Sequence, residues 1–164
     1  MLVKEVAEQA AQSVLESYWN DGEFPVVPST IASRLGIHIR VASLPENTSG
    51  AIMKRPGEDA QILIERSDSP VRQRFTAAHE IGHFIERTTI QDQPDEDFGF
   101  VDMRDNKHDL HEFFANEFAA NLLMPRAEVE ARVKDGYDAI RLAAHFGVST
   151  IAAKTRLLKL GLTG

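Results

Sequence analysis

The sequence predicts an α+β fold, with a small three-stranded sheet covered by helices and followed by a helical tail. Three observations carry this expectation. Amphipathic segments with helix start and stop signals fill both ends of the chain. Three short stretches of strand character lie together between residues 37 and 66. The length of 164 residues, 43% of them hydrophobic, suits one domain that buries about 70% of its unfolded surface around a single core.

The elements follow in order. Residues 3–19 read as an amphipathic helix, ended by Asn20-Asp21-Gly22. Pro25 and Pro28 mark a loop, and Ser29 or Thr30 caps a short helix that stops at Gly36. Ile37, Ile39 and Val41 alternate with His38 and Arg40, the period of a half-buried strand. Residues 50–55 and 60–66 are two further strands, joined through Pro56-Gly57. Ser69-Pro70 puts a capping hydroxyl before a proline at the first helical position, so a helix runs from there to about Arg87. The acidic stretch 90–109 reads as a loop. A helix follows from about Asp109 to Leu123, and Pro125 starts another that ends near Gly136. Two last helices turn at Gly147, with Ser149 as cap and Gly161 as stop. The expected division is a body over 1–136 and a tail over 137–164.

Composition excludes several function classes. Without cysteine there is no disulfide framework, no thiolate metal site and no cysteine nucleophile. No apolar run approaches the ~18 residues that span a bilayer. The charged N-terminus lacks the apolar stretch of a signal peptide, so a cytoplasmic protein is expected. A net charge of −7 argues against general nucleic-acid binding. The charge is uneven. Between Ile90 and Glu112, eight acidic residues face two basic ones, a net of −6. From Asp138 to the end, Arg141, Lys154, Arg156 and Lys159 face Asp138 alone, a net of +3.

The strongest chemical signal is His79-Glu80-Ile81-Gly82-His83. Residues four apart on a helix lie one turn apart on the same side, so both imidazoles can reach one metal ion. Val71, Phe75, Ala78, Ile81 and Ile85 fall on the opposite arc and give the helix a separate apolar face. Glu80 sits beside the histidines without pointing at the ion, which suits a base acting on water activated by the metal. Chance would produce the pattern in roughly 2% of chains of this composition, so it is read as chemistry.

Catalytic zinc usually keeps three protein ligands, and the segment DLHEFFANEFAANLLMP offers candidates for the third. Glu112, Asn116, Ala119 and Leu123 share one helix face, with Glu112 at its inner end. Asn116 lies one turn on and could hydrogen-bond a ligand histidine. Glu117 lies about 140° from Glu112 around the helix and is expected to be solvated or ion-paired. His108, one turn before Glu112, is a rival ligand or a donor to the transition state. His111 is expected at the surface, and His38 and His145 are read as structural.

The two motifs together, HEIGH and about thirty residues later ExxANxFAxxLLMP, resemble the ImmA/IrrE family of zincin-like metallopeptidases. FPVVPSTIASRLGI and LAAHFGVSTIAAKTRLLKLGL are also similar to family segments, the latter to a helix-turn-helix-like piece. The resemblance implies a zincin-like fold with Zn2+ held by His79, His83 and Glu112, and Glu80 as catalytic base. Many members carry a second acidic residue where this chain has Phe114, which leaves Glu112 as the Glu that matches the ligand position. It also implies an intracellular metallo-endopeptidase that cleaves a helix-turn-helix transcriptional repressor, in mobile elements or stress responses. The alternative is a metal-retaining regulatory module that controls the repressor by binding alone.

The tail admits two readings. Lys154, Arg156 and Lys159 could contact DNA, or the two helices could brace the body with their basic side in water. A surplus of +3 is thin for phosphate binding, so the brace is preferred. The acidic stretch 90–109 is expected to be a mobile flap over the cleft, favouring basic residues near the cut. Substrate is expected to bind as an extended strand along a free edge of Gln61–Arg66.

Overall fold

The computed structural model describes residues 1–94, 97–104 and 109–162. Among them are seven helices and one four-stranded sheet. Helix α1 spans Val3–Tyr18 and buries Ala7, Ala11 and Val14 at three- and four-residue spacing. Helix α2 spans Pro28–Arg34. Its cap is Val27 rather than Ser29 or Thr30, because Pro28 takes the first helical position, where its missing N–H costs nothing. Strands β1 (His38–Ala42), β2 (Thr48–Lys54) and β3 (Gln61–Glu65) follow.

Helix α3 spans Pro70–Ile85, and the Ser69 hydroxyl accepts from the Arg72 amide, as the Ser-Pro pair predicts. One π-helical turn, Glu86–Ile90, extends it. Strand β4 spans Phe98–Met103. Helix α4 spans Leu110–Leu123 and is capped by Asp109, which accepts from the Glu112 amide at 2.8 Å. Helices α5 (Arg126–Lys134), α6 (Ala139–Phe146) and α7 (Thr150–Leu160) complete the chain. Gly147 ends α6 at φ 67°, a left-handed turn that a side chain would strain.

The sheet order is β1-β3-β2-β4, with β1 parallel to β3 and both other pairs antiparallel. This corrects the expectation of three strands. The fourth arises inside the acidic stretch read as a loop, where Phe98, Phe100 and Asp102 alternate with Gly99, Val101 and Met103. The surrounding charge hid a short period-two pattern. It also corrects the expected substrate edge. Strand β3 is paired on both sides, so Gln61–Glu65 has no free edge. The edges of the sheet are β1 and β4.

The core lies between the inner face of the sheet and α3 with α4. Ile52, Ile62 and Ile64 from the strands pack with Ala78, Ile81, Phe118 and Leu122. Helix α4 is buried nearly all round, because α1 and α3 both pack against it. The tail belongs to the same core through Leu142, Phe146, Val148 and Ala153. Arg74 Nη1 donates to the carbonyl of Gly147 at 2.8 Å and ties the α6–α7 turn to α3.

Candidate metal centre

Helix α3 places His79 and His83 one turn apart and buries both. Their rings lie 4.9 Å apart, nearly perpendicular. Ala78, Ile81 and Ile85 anchor the opposite side of the helix in the core, as its apolar arc predicts. Phe75 and Val71, one and two turns earlier, line an open cleft instead.

Helix α4 brings Glu112 to the histidines. Its Oε2 lies 3.0 Å from His79 Nε2, and its Oε1 lies 3.2 Å from His83 Nε2. Asn116, one turn on, accepts at Oδ1 from His79 Nδ1 at 2.9 Å. That bond fixes the ring so that Nε2 faces Glu112. Gly82 makes the approach possible. A Cβ there would lie 3.1 Å from both Ala115 Cα and Phe118 Cδ1, so the two helices pack at backbone distance only because it is glycine.

Strand β4 supplies a group that sequence reasoning missed. Asp102 Oδ1 lies 3.1 Å from His79 Nε2 and 3.6 Å from His83 Nε2. Two residues back, Phe100 stacks on the His83 ring, with centroids 4.1 Å apart and planes 5° from parallel. Alternation puts Phe98, Phe100 and Asp102 on one strand face, but only the pairing of β4 with β2 brings that face to the histidines. His79, His83, Asp102 and Glu112 thus form one buried group, each offering an atom within 4.8 Å of the others.

Glu80 is fully buried beside this group, and neither of its oxygens has a hydrogen-bond partner. Strand β2 leaves room for it through Gly50, where a Cβ would lie 2.5 Å from Thr76 Cγ2 and 3.1 Å from Glu80 Oε2. Burial first, then the nearby carboxylates of Asp102 and Glu112, push the Glu80 carboxyl well above its ordinary value. Burial opposes a charge on His79, but the Asp102 and Glu112 carboxylates overcome it and hold the imidazole up to about 9. His83 is raised by the same contest. Burial works against an ionised Asp102, and the two imidazoles reverse it, leaving that carboxyl far below the usual range.

The donor set fits a divalent cation. Two buried imidazoles and two buried carboxylates are nitrogen and oxygen ligands suited to zinc. One divalent ion would balance the two carboxylates, with the imidazoles as neutral nitrogen ligands. His83 Nε2 lies within ion-pair distance of Glu112 but makes no aligned hydrogen bond, and His83 Nδ1 is buried without a partner. Orphaned polar atoms this deep are costly unless something binds them.

The other candidates separate cleanly. Glu117 faces away from the histidines and pairs with Lys159 Nζ at 2.7 Å. His111 bonds Glu86 at 2.8 Å. His38 pairs with Asp59 and His145 with Glu128. His108, the expected transition-state donor, lies outside the described residues. A cavity of about 580 Å³ opens against His79 and Glu112. Its apolar walls include Val71 and Phe75 of α3 together with Val148 and Ile151 of the tail. Arg72, which donates to Ser49 Oγ at 3.2 Å, stands at its rim.

Residues 32–158 match the family model Peptidase_M78, described as the IrrE N-terminal-like domain. No curated protein matches the chain. Among the described residues, no helix is long and apolar enough to cross a membrane.

Proposed function

The chain belongs to the Peptidase_M78 family, the IrrE N-terminal-like domain, and from that premise we propose that it is a zinc-dependent metallo-endopeptidase of the cytoplasm, with a zincin-like body over 1–136. The observation that carries this reading is the convergence of His79, His83 and Glu112 beside a fully buried Glu80. His79, His83 and Glu112 would hold the metal, and Asn116 would orient His79. When bound, zinc supplies a Lewis acid that polarises the scissile carbonyl and lowers the pKa of water to about 7.

The chain's own groups do the rest. Glu80 takes a proton from the attacking water and passes it to the leaving amine. The cavity bordered by Val71, Phe75 and Ile151 receives a side chain of the substrate near the cut. The tail over 137–164 acts as a helix-turn-helix-like brace that forms part of that cavity wall rather than as a DNA reader. The substrate is a protein, and the reading favours a helix-turn-helix repressor cut in a linker or a locally unfolded segment, since a folded helix keeps its carbonyls hydrogen-bonded.

The test is to incubate the zinc-loaded protein with helix-turn-helix repressors from the same cell and map the products by mass spectrometry. Discrete fragments that vanish with Glu80→Gln, while zinc content stays unchanged, support the reading. A stable stoichiometric complex without fragments would replace it with control by binding alone.

A further inference from the structure

We propose that Asp102 is a fourth protein ligand of the metal, so that the resting centre is closed by the chain's own edge strand. The inference rests on the metal reading above and adds to it. Tetrahedral zinc with ligands at about 2.0–2.1 Å has ligand-to-ligand edges of about 3.3–3.4 Å. The contacts joining the two histidine Nε2 atoms to Glu112 and Asp102 are 3.0, 3.1, 3.2 and 3.6 Å. The Asp102 carboxylate therefore stands nearly as close to the two histidine nitrogens as Glu112 does, within reach of the same ion. A catalytic zinc keeps its fourth position for water or substrate.

The sheet explains how the carboxylate arrives there. Strand β4 pairs antiparallel with β2, with Asp102 opposite Gly50. Gly50 is the β2 position that packs against Thr76 and Glu80 of the histidine helix. Strand β4 thus occupies the edge next to the centre, the place where an extended peptide would add to the sheet. Phe100 stacked on His83 and buried Phe98 hold the strand in register, so Asp102 is directed inward by the two-residue period. Its outward neighbours Val101 and Met103 are exposed. For a substrate carbonyl to reach the metal, the Asp102 carboxylate must first leave it.

The experiment uses the full chain loaded with cobalt(II), whose visible absorption reports coordination, and titrates it with azide. Wild type is expected to give an intense four-coordinate spectrum that millimolar azide leaves unchanged. Asp102→Ala is expected to bind azide at least about tenfold more tightly and to lose about 10–100-fold in zinc affinity against a chelating dye. Asp102→Asn, which keeps the shape of the side chain, is expected to fall between them. Ready uptake of azide by wild type overturns the proposal by itself, whatever the variants do. Equal zinc affinity in all three proteins also overturns it. Absence of any cobalt spectrum in wild type would defeat the metal reading as a whole, an outcome distinct from an intense spectrum with an open position.

Discussion

Asn116 Oδ1 accepts a hydrogen bond from His79 Nδ1 at 2.9 Å, which couples α4 to the opposite end of the imidazole that faces Glu112. Helix α4 therefore acts on the centre twice, once through Glu112 directly and once through the orientation of His79. The spacing of four residues makes both possible from one face of one helix.

Asn116→Ala removes that orientation and leaves all four potential ligands in place. Zinc affinity is expected to fall by about 10–100-fold, the usual cost of losing a partner to a ligand histidine. Asn116 lies on the cleft side, so the melting temperature without metal should change little. Competition with a chelating dye gives the affinity. An unchanged value would show that His79 is held by packing alone.

Gly82→Ala tests the close packing of α3 on α4. Alanine favours a helix over glycine by about 1 kcal/mol. Against that, its Cβ would press on Ala115 Cα, a backbone atom that cannot swing away, and overpacking costs about 1–3 kcal/mol. The net expectation is a loss of up to about 2 kcal/mol in urea unfolding, with weaker metal binding as Glu112 is pushed from the histidines. A gain in stability would mean that the helices separate freely.

The legibility of the site followed the range of each contact. His79, Glu80 and His83 were readable because one helix fixes their geometry through local spacing, and Glu112 with Asn116 because a second helix does the same. Asp102 was not, since its approach depends on pairing between β4 and β2, which no local pattern specifies. The same long-range pairing placed β3 inside the sheet and removed the edge assigned to it. In the tail, the caps Ser149 and Gly161 were legible, but the basic residues misled. Charge suggested solvent for Arg156, and a buried carbonyl claimed it instead.

Glu65 gives the fold a pH dependence away from the centre. Bonds from the Ser67 hydroxyl, then from the Leu44 and Ser67 amides, lower its carboxyl from 4.5 to about 2. A lowered value means that the folded state favours the ionised form. The stabilisation is complete above the unfolded value of 4.5 and fades as pH falls towards 2. Glu65→Gln should therefore melt below wild type at pH 6, with the gap closing between pH 5 and pH 2. A gap that stays constant across that window would assign the effect to shape rather than charge.

Arg156 links α7 to α4 and decides what the tail does. Its Nε donates to the Met124 carbonyl at 3.0 Å and its Nη2 to Asn121 Oδ1 at 2.8 Å, with the side chain buried. Arg156→Ala leaves two buried acceptors without donors, at about 1–3 kcal/mol each, and a large loss in urea unfolding is expected. Arg156→Lys should recover only part of it, because an ammonium cannot reproduce the guanidinium fork. The same bonds bear on nucleic acid. With Arg156 buried and Lys159 paired to Glu117, Lys154 alone of the three basic residues is both exposed and outside these pairings. One such cation releases too few counterions for useful affinity. Purified protein should give no salt-sensitive shift of duplex DNA at physiological ionic strength, and Lys154→Ala should change nothing. Tight, sequence-selective binding abolished by Lys154→Ala would show that the tail reads DNA in spite of its anchorage to α4.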